Sequence, residues 1–232
     1  MPEFPKPKFE FRYEVDAEIG RLRQWRKKVD RFIPAKSNET LLLATWNIAN
    51  FGAHDRRDQD HRLIAEILGW FDVIAIQETR SNLSDLDAVA ALLPRHRRLF
   101  TDTAGNDERM VYLYDAKKGI AVREQVGEVA IEPSELRHIK LPGVTQSFNG
   151  FDRNPFLASF QFKNARLTLA NVHLYFGRHF GSGPPAPATG DVRGGPLGAA
   201  RINRRPPTTR RSFCWAISTF RTWRTTIRFS RC

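Results

Sequence analysis

Residues 41–51 read Leu41-Leu42-Leu43-Ala44-Thr45-Trp46-Asn47-Ile48-Ala49-Asn50-Phe51, and residues 71–80, FDVIAIQETR, repeat the pattern further along the chain. Each is an apolar run that stops abruptly at polar residues. A run of about 5 such residues predicts a buried strand, here Leu41–Trp46 and Asp72–Ile76. A strand that ends in a carboxamide or carboxylate delivers that group to the end of a sheet, where layered α/β folds place their ligands. Asn47 and Glu78 are therefore the first candidates for a shared site.

Between these strands, Leu63, Ile64, Ile67 and Leu68 predict a helix closed by Gly69. The resulting strand–helix–strand unit points to an α/β fold with helices outside its sheets. Upstream of it, residues 1–13 read as an irregular lead-in. Val15, Ile19, Leu22, Trp25, Val29 and Phe32 then form one helical face that Pro34 ends. The opposite face (Arg21, Arg23, Arg26, Lys27, Lys28) reads as solvated. Downstream, Ser84 with Asp87 has the spacing of a capping box opening a helix through Leu93, with Pro94 as the stop. Strands are predicted at Arg98–Thr101 and Met110–Tyr114, with a turn at Lys117–Gly119. A hairpin of Phe156–Phe162 and Arg166–His173 turns at Lys163–Asn164. Residues 120–150 alternate only in part and are broken by Pro133, Pro142 and Gly143.

The net charge of +12 suggests nucleic acid until it is located. Residues 181–232 hold ten arginines, one acid (Asp191), and neither Lys nor Glu. That leaves 27 basic and 24 acidic side chains in residues 1–180, a net of +3. The basicity is a property of the tail, not of a binding face built into the domain. Both cysteines, Cys214 and Cys232, also lie there, so the front of the chain has no thiolate metal site. No apolar run approaches the roughly 18 residues of a membrane span. The N-terminus carries charge and proline where a secretory leader carries an apolar core, and the simplest expectation is a cytoplasmic protein.

Four segments carry candidate chemistry: Asn47 after LLLATW, Glu78 in DVIAIQETR, Arg153 and Pro155 in FDRNPFLASF, and Asn171 with His173 in LTLANVHL. Taken singly, Asn47 also fits a turn, Glu78 an exposed strand end, and His173 a structural histidine. Together, and in this order, they resemble the endonuclease/exonuclease/phosphatase superfamily over roughly residues 38–180. That family opens with a strand ending in "-WN-", follows with one ending in "-QE-", and later has "R-x-P" and "N-x-H". The resemblance implies the first part of a four-layer α/β/β/α sandwich of the deoxyribonuclease type and a metal-dependent phosphodiester or phosphomonoester hydrolase. Nucleic acid is the favoured substrate. Such hydrolysis requires neutralising the charge that develops on phosphate and generating a nucleophile from water. A hard cation such as Mg²⁺, with Mn²⁺ as the alternative, prefers carboxylate oxygens and retains waters. By resemblance Glu78 is the metal ligand, while Asn47 helps to position metal and phosphate. His173 hydrogen-bonds phosphate or transfers a proton, and Arg80, Arg153 and Asn171 are phosphate contacts. Tyr114 reads as core.

The second half of the family pattern, "-GDFN-" and a later Asp/Ser-His element, does not occur after Phe180. Residues 181–211 are rich in Pro, Gly and Arg and read as disordered. Back-translating Phe213–Thr219 gives TTY TGY TGG GCN ATH TCN ACN. Started two bases later, the triplets force Leu-Leu-Gly and permit Asp-Phe-Asn. This points to a reading-frame shift near residues 178–183, and to three segments: a lead-in with its helix (1–37), the first part of the hydrolase domain (38–180) and an out-of-frame tail (181–232). The second half of the sandwich is then missing or scrambled, and the chain is expected to be inactive or nearly so. Two other readings stand beside this one: a non-enzymatic fragment, and a nucleic-acid-binding module that uses the basic tail and its interleaved aromatics.

Overall fold

The strand predicted from LLLATW, β1 (Thr40–Phe51), buries side chains on both of its faces. Leu42, Ile48 and Phe51 join one apolar cluster, and Leu41 and Leu43 join another. A strand covered on both sides needs a continuous apolar run, not an alternating one, and that is what the sequence carries. The structure is a computed structural model that describes residues 12–28, 33–140, 147–173, 212–218 and 225–228.

In chain order β1 is preceded by α1 (Val15–Arg26) and followed by α2 (Asp58–Leu68), β2 (Val73–Arg80), α3 (Ser84–Ala91), β3 (His96–Phe100) and β4 (Glu108–Asp115). Next come β5 (Ala121–Glu128), the single turn α4 (Pro133–Leu136), β6 (Phe156–Phe162), β7 (Ala165–Val172), β8 (Ser212–Ser218) and β9 (Thr225–Arg228). The strands form two mixed sheets, ordered β3-β4-β2-β1-β9 and β5-β6-β7-β8. β1 and β2 are parallel, joined across α2, whereas β4 runs antiparallel to β2.

Helix residues Ala65, Leu68, Leu86 and Val89 pack with Leu42, Ile74, Ile76, Val111 and Leu113 on the outer face of the first sheet. Its inner face (Leu41, Leu43, Val73, Ala75, Tyr112) meets Phe156, Ala158, Phe160 and Phe162 of β6 and Leu167 and Leu169 of β7. The period of two in β6 places all four of those side chains on one face. Each of the three phenylalanines among them contributes about 1.5–3 kcal/mol on burial. A helical layer and two facing sheets are thus three of the four expected layers, in an α/β fold. Tyr114 packs against Phe160, as expected of a core residue. No helix among the described residues is long and apolar enough to cross a membrane.

Several boundaries differ from expectation. β1 continues past Asn47 to Phe51, and β2 continues past Glu78 to Arg80. In both, an irregular register absorbs the polar residues without ending the strand. α1 stops at Arg26, where the Ile33 amide donates to the Arg26 carbonyl and turns the chain back. Val29 and Phe32 lie outside the described residues. The capping box of α3 does not form: Leu83 is the N-cap, and the Ser84 amide donates to Asn82 Oδ1 at 3.0 Å instead. Of the tail, β8 pairs in parallel with β7 and β9 antiparallel with β1. Each lies along a sheet edge whose free N–H and C=O groups accept any extended chain, and both segments are rich in strand-forming residues. The remainder of 174–232, including the site of the inferred frame shift, is outside the described residues.

Candidate active site at the bulged strand ends

Two consecutive residues at the end of β2 point to different places. Gln77, fully buried, donates through Nε2 to Thr45 Oγ1 at 3.1 Å and to Asn171 Oδ1 at 2.6 Å. Glu78 adopts φ 61°, a conformation that L-residues other than Asn, Asp and Gly avoid at a cost of about 1–2 kcal/mol. The turn swings its carboxylate toward β1. There Oε1 accepts from Asn47 Nδ2 at 2.7 Å and Oε2 from the Asn50 amide at 3.0 Å. Asn50 is itself at φ 48°. Backbone strain of this kind persists only where the surroundings over-determine it, and it gathers at functional sites.

His173, one residue beyond β7, lies 3.4 Å through Nε2 from Glu78 Oε1. Its Nδ1 is 2.9 Å from Glu108 Oε2, at the start of β4. The imidazole is thus held between two buried carboxylates. Burial alone works against the Glu78 charge, but hydrogen bonds from His173, Asn47 and the Asn50 amide outweigh it and hold the carboxyl down to about 2. Burial likewise depresses the imidazole, and Glu108 and Glu78 more than reverse it, so the His173 pKa stands above its ordinary value. Glu78 is ionised at neutral pH, and the imidazole beside it binds its proton more tightly than a free histidine.

Arg153 is buried beneath this pair. Its Nε donates to the Gly105 carbonyl at 2.9 Å and sits 3.2 Å from Glu108 Oε2, and an Nη1 hydrogen bond reaches the His173 carbonyl at 3.3 Å. Arg80 donates through Nη2 to Asn50 Oδ1 at 2.8 Å and through Nη1 to the Asn106 carbonyl. Asn171 is fully buried. Its Nδ2 donates to the Ile76 and Val111 carbonyls at 3.0 and 3.2 Å, tying the second sheet to the first. The structure therefore brings Asn47, Glu78 and His173 into one cluster, with Arg80 and Arg153 around it. Asn171 lies under the cluster and not along it.

These groups can supply a fixed anion, a proton-carrying imidazole and flanking guanidinium groups. An ionised carboxylate with a carboxamide beside it suits a hard cation that keeps most of its waters, which fits Mg²⁺ or Mn²⁺. Among the described residues no group of three or more His, Cys, Asp or Glu is arranged to hold a metal ion.

No protein-family model matches the chain, and no curated protein does. Solved structures do resemble it. A truncated TDP2 from Caenorhabditis elegans superposes with a TM-score of 0.40 at 17% identity, over 60% of this chain and 48% of that one. A protein from Bacteroides vulgatus gives 0.41 at 17% identity, over 60% and 53%. The catalytic domain of human Nocturnin gives 0.39 at 12% identity, over 60% and 52%. These are endonuclease/exonuclease/phosphatase proteins. The chain spans about half the length of each of the three.

Three members of the cluster were not anticipated from sequence: Glu108, Asn50 and Gln77. Glu108 had a signal. It precedes the apolar run MVYLY, and in a strand antiparallel to β2 the beginning of the run lies at the same end of the sheet as Glu78. Asn50 meets Glu78 through its backbone amide, which no residue type announces.

Proposed function

We propose that residues 38–180 are the front part of a metal-dependent phosphoester hydrolase, nuclease-like in substrate. Glu78 and Asn47 would hold Mg²⁺ or Mn²⁺, which when bound supplies charge neutralisation at the phosphate. The observation that carries this reading is the ionised Glu78, turned out of the strand at positive φ and hydrogen-bonded by Asn47 and the Asn50 amide beside the His173–Glu108 pair. His173 is suited to donate a hydrogen bond to a phosphate oxygen or pass on a proton, with Glu108 fixing the ring through Nδ1. Arg80 and Arg153 provide positive charge on either side, and the phosphate role of Asn171 would pass through its hold on the sheets. No more than trace cleavage of DNA or RNA in the presence of Mg²⁺ or Mn²⁺, lost in Glu78→Ala, is the expected result. Saturable Mn²⁺ binding that survives Glu78→Ala overturns the assignment.

The chain as it stands is expected to turn over far more slowly than about 1 s⁻¹. The resemblance assigns orientation of the attacking water to an Asp–Asn element absent after Phe180. Sequencing the coding DNA from the Phe176 codon to beyond Cys232 tests the cause. A single inserted or deleted base that restores Gly-Asp-Phe-Asn supports an out-of-frame tail. An intact frame with no such motif leaves the inactive-fragment and basic-tail readings.

A further inference from the structure

The loop that follows β1 is held by a side chain from another element. Asp85, on α3, is buried and carries three contacts. Its Oδ2 accepts from the Gly52 amide at 2.9 Å and from Arg56 Nη1 at 2.7 Å, and its Oδ1 lies 2.9 Å from His61 Nε2. Arg56 extends the hold, donating through Nη2 to the Ala49 carbonyl at 2.6 Å and through Nη1 to the Asn50 carbonyl at 3.2 Å. Between those two carbonyls is the Asn50 amide that donates to Glu78 Oε2. Asn50 Oδ1 also receives Arg80. Asn50 sits at φ 48° and Gly52 at φ 105°, conformations that these two residue types tolerate but that do not by themselves fix where the segment lies.

We propose that Asp85 is a positioning residue for the Glu78 site. Through Gly52 and Arg56 it fixes the 49–52 backbone so that the Asn50 amide and side chain meet Glu78 and Arg80. His61 closes the Asp85 carboxylate from the α2 side, which leaves α2 and α3 clamped on one anion. The consequence for metal binding rests on the hydrolase reading, but the clamp itself is independent of any metal. A charge-assisted hydrogen-bond set of this kind is strong and directional, which suits a role in holding geometry. It places the Glu78 carboxylate under the control of a residue on a helix, outside the strands that carry the site.

The test compares Asp85→Asn with Asp87→Asn, an exposed partner of Arg98 on the same helix. Backbone amide exchange of the full chain is read at Asn50 and Gly52 and, as the reference, at Ile74 and Ile76. Mn²⁺ binding is measured in parallel. Asp85→Asn is expected to speed exchange at Asn50 and Gly52 about tenfold or more, the loss of roughly one such hydrogen bond, with Ile74 and Ile76 unchanged. Mn²⁺ affinity falls in the same variant and not in Asp87→Asn. Unchanged exchange at Asn50, or exchange that rises equally at Ile74, overturns the proposal. Should Asp85→Asn not fold, Arg56→Lys takes its place: the shorter cation cannot span both carbonyls, and the same selective gain at Asn50 is required. Absence of Mn²⁺ binding in the unmodified chain counts against the hydrolase reading alone, because the amide exchange still decides the clamp.

Discussion

Glu78 and His173 are neighbours whose ionisation pulls stability in opposite pH directions. Glu78 titrates near 2 when folded against an ordinary 4.5. Its contribution is therefore present above the ordinary value and is lost as pH falls through the folded one. Denaturant melts should show about 3 kcal/mol less of this acid destabilisation between pH 5 and 2 in Glu78→Gln. His173 is raised from 6.5. Its contribution is complete below that value and is lost as pH rises through the folded pKa, so His173→Gln should flatten the alkaline limb. An unchanged slope in either variant would mean that these contacts are not made in solution. At this scale the sequence was informative where a residue type is rare in its setting: Asn47, Glu78 and His173 each interrupt an apolar run. For Glu108 the signal, an acid ahead of the run MVYLY, gained its meaning only once β4 was known to lie antiparallel beside β2.

Gly52 shows what a turn needs. At φ 105° it is in a region that glycine alone enters freely, and a Cβ there would lie 2.1 Å from the Asn82 carbonyl oxygen. Gly52→Ala is expected to cost about 2 kcal/mol or more, read as a lower denaturant midpoint. Asn171 joins one sheet to the other. Replacing it with Ala removes one of the two acceptors of the Gln77 amide and the side-chain donor to two buried carbonyls, for about 2–4 kcal/mol. A loss near zero would show that water fills the gap. Strand and helix placement was legible because apolar spacing reports burial directly, as in LLLA and FQF. The extensions of β1 to Phe51 and β2 to Arg80 were not, since a bulge lets a strand continue through residues that break its alternation. The Ser84–Asp87 spacing misled for a similar reason. Asn82, two residues earlier, reached the Ser84 amide first.

The two sheets leave one edge each to the tail, β1 to β9 and β7 to β8. A chain that stops at residue 180 should therefore associate through those edges, visible as concentration-dependent light scattering; a stable monomer would show that the edges are otherwise protected. The whole-molecule charge was legible as a tail property, but the destination of the tail was not, because strand pairing at an edge needs no side-chain code. The strands in the middle of the first sheet carry acids at both ends. Glu78 and Glu108 lie at one end of the β2–β4 pair. At the other, Asp72 and Asp115, both fully buried, are met by Lys36, with Lys118 on Asp72 and Arg95 on Asp115. A pairing slipped by one or two residues would strand charge at both poles at once, so near-native mistakes lie high in energy and cannot act as resting places on the way to the native state. The molecule should refold through this pair in a single kinetic phase, and removing one pole with Asp72→Asn and Asp115→Asn should bring in a slow second one.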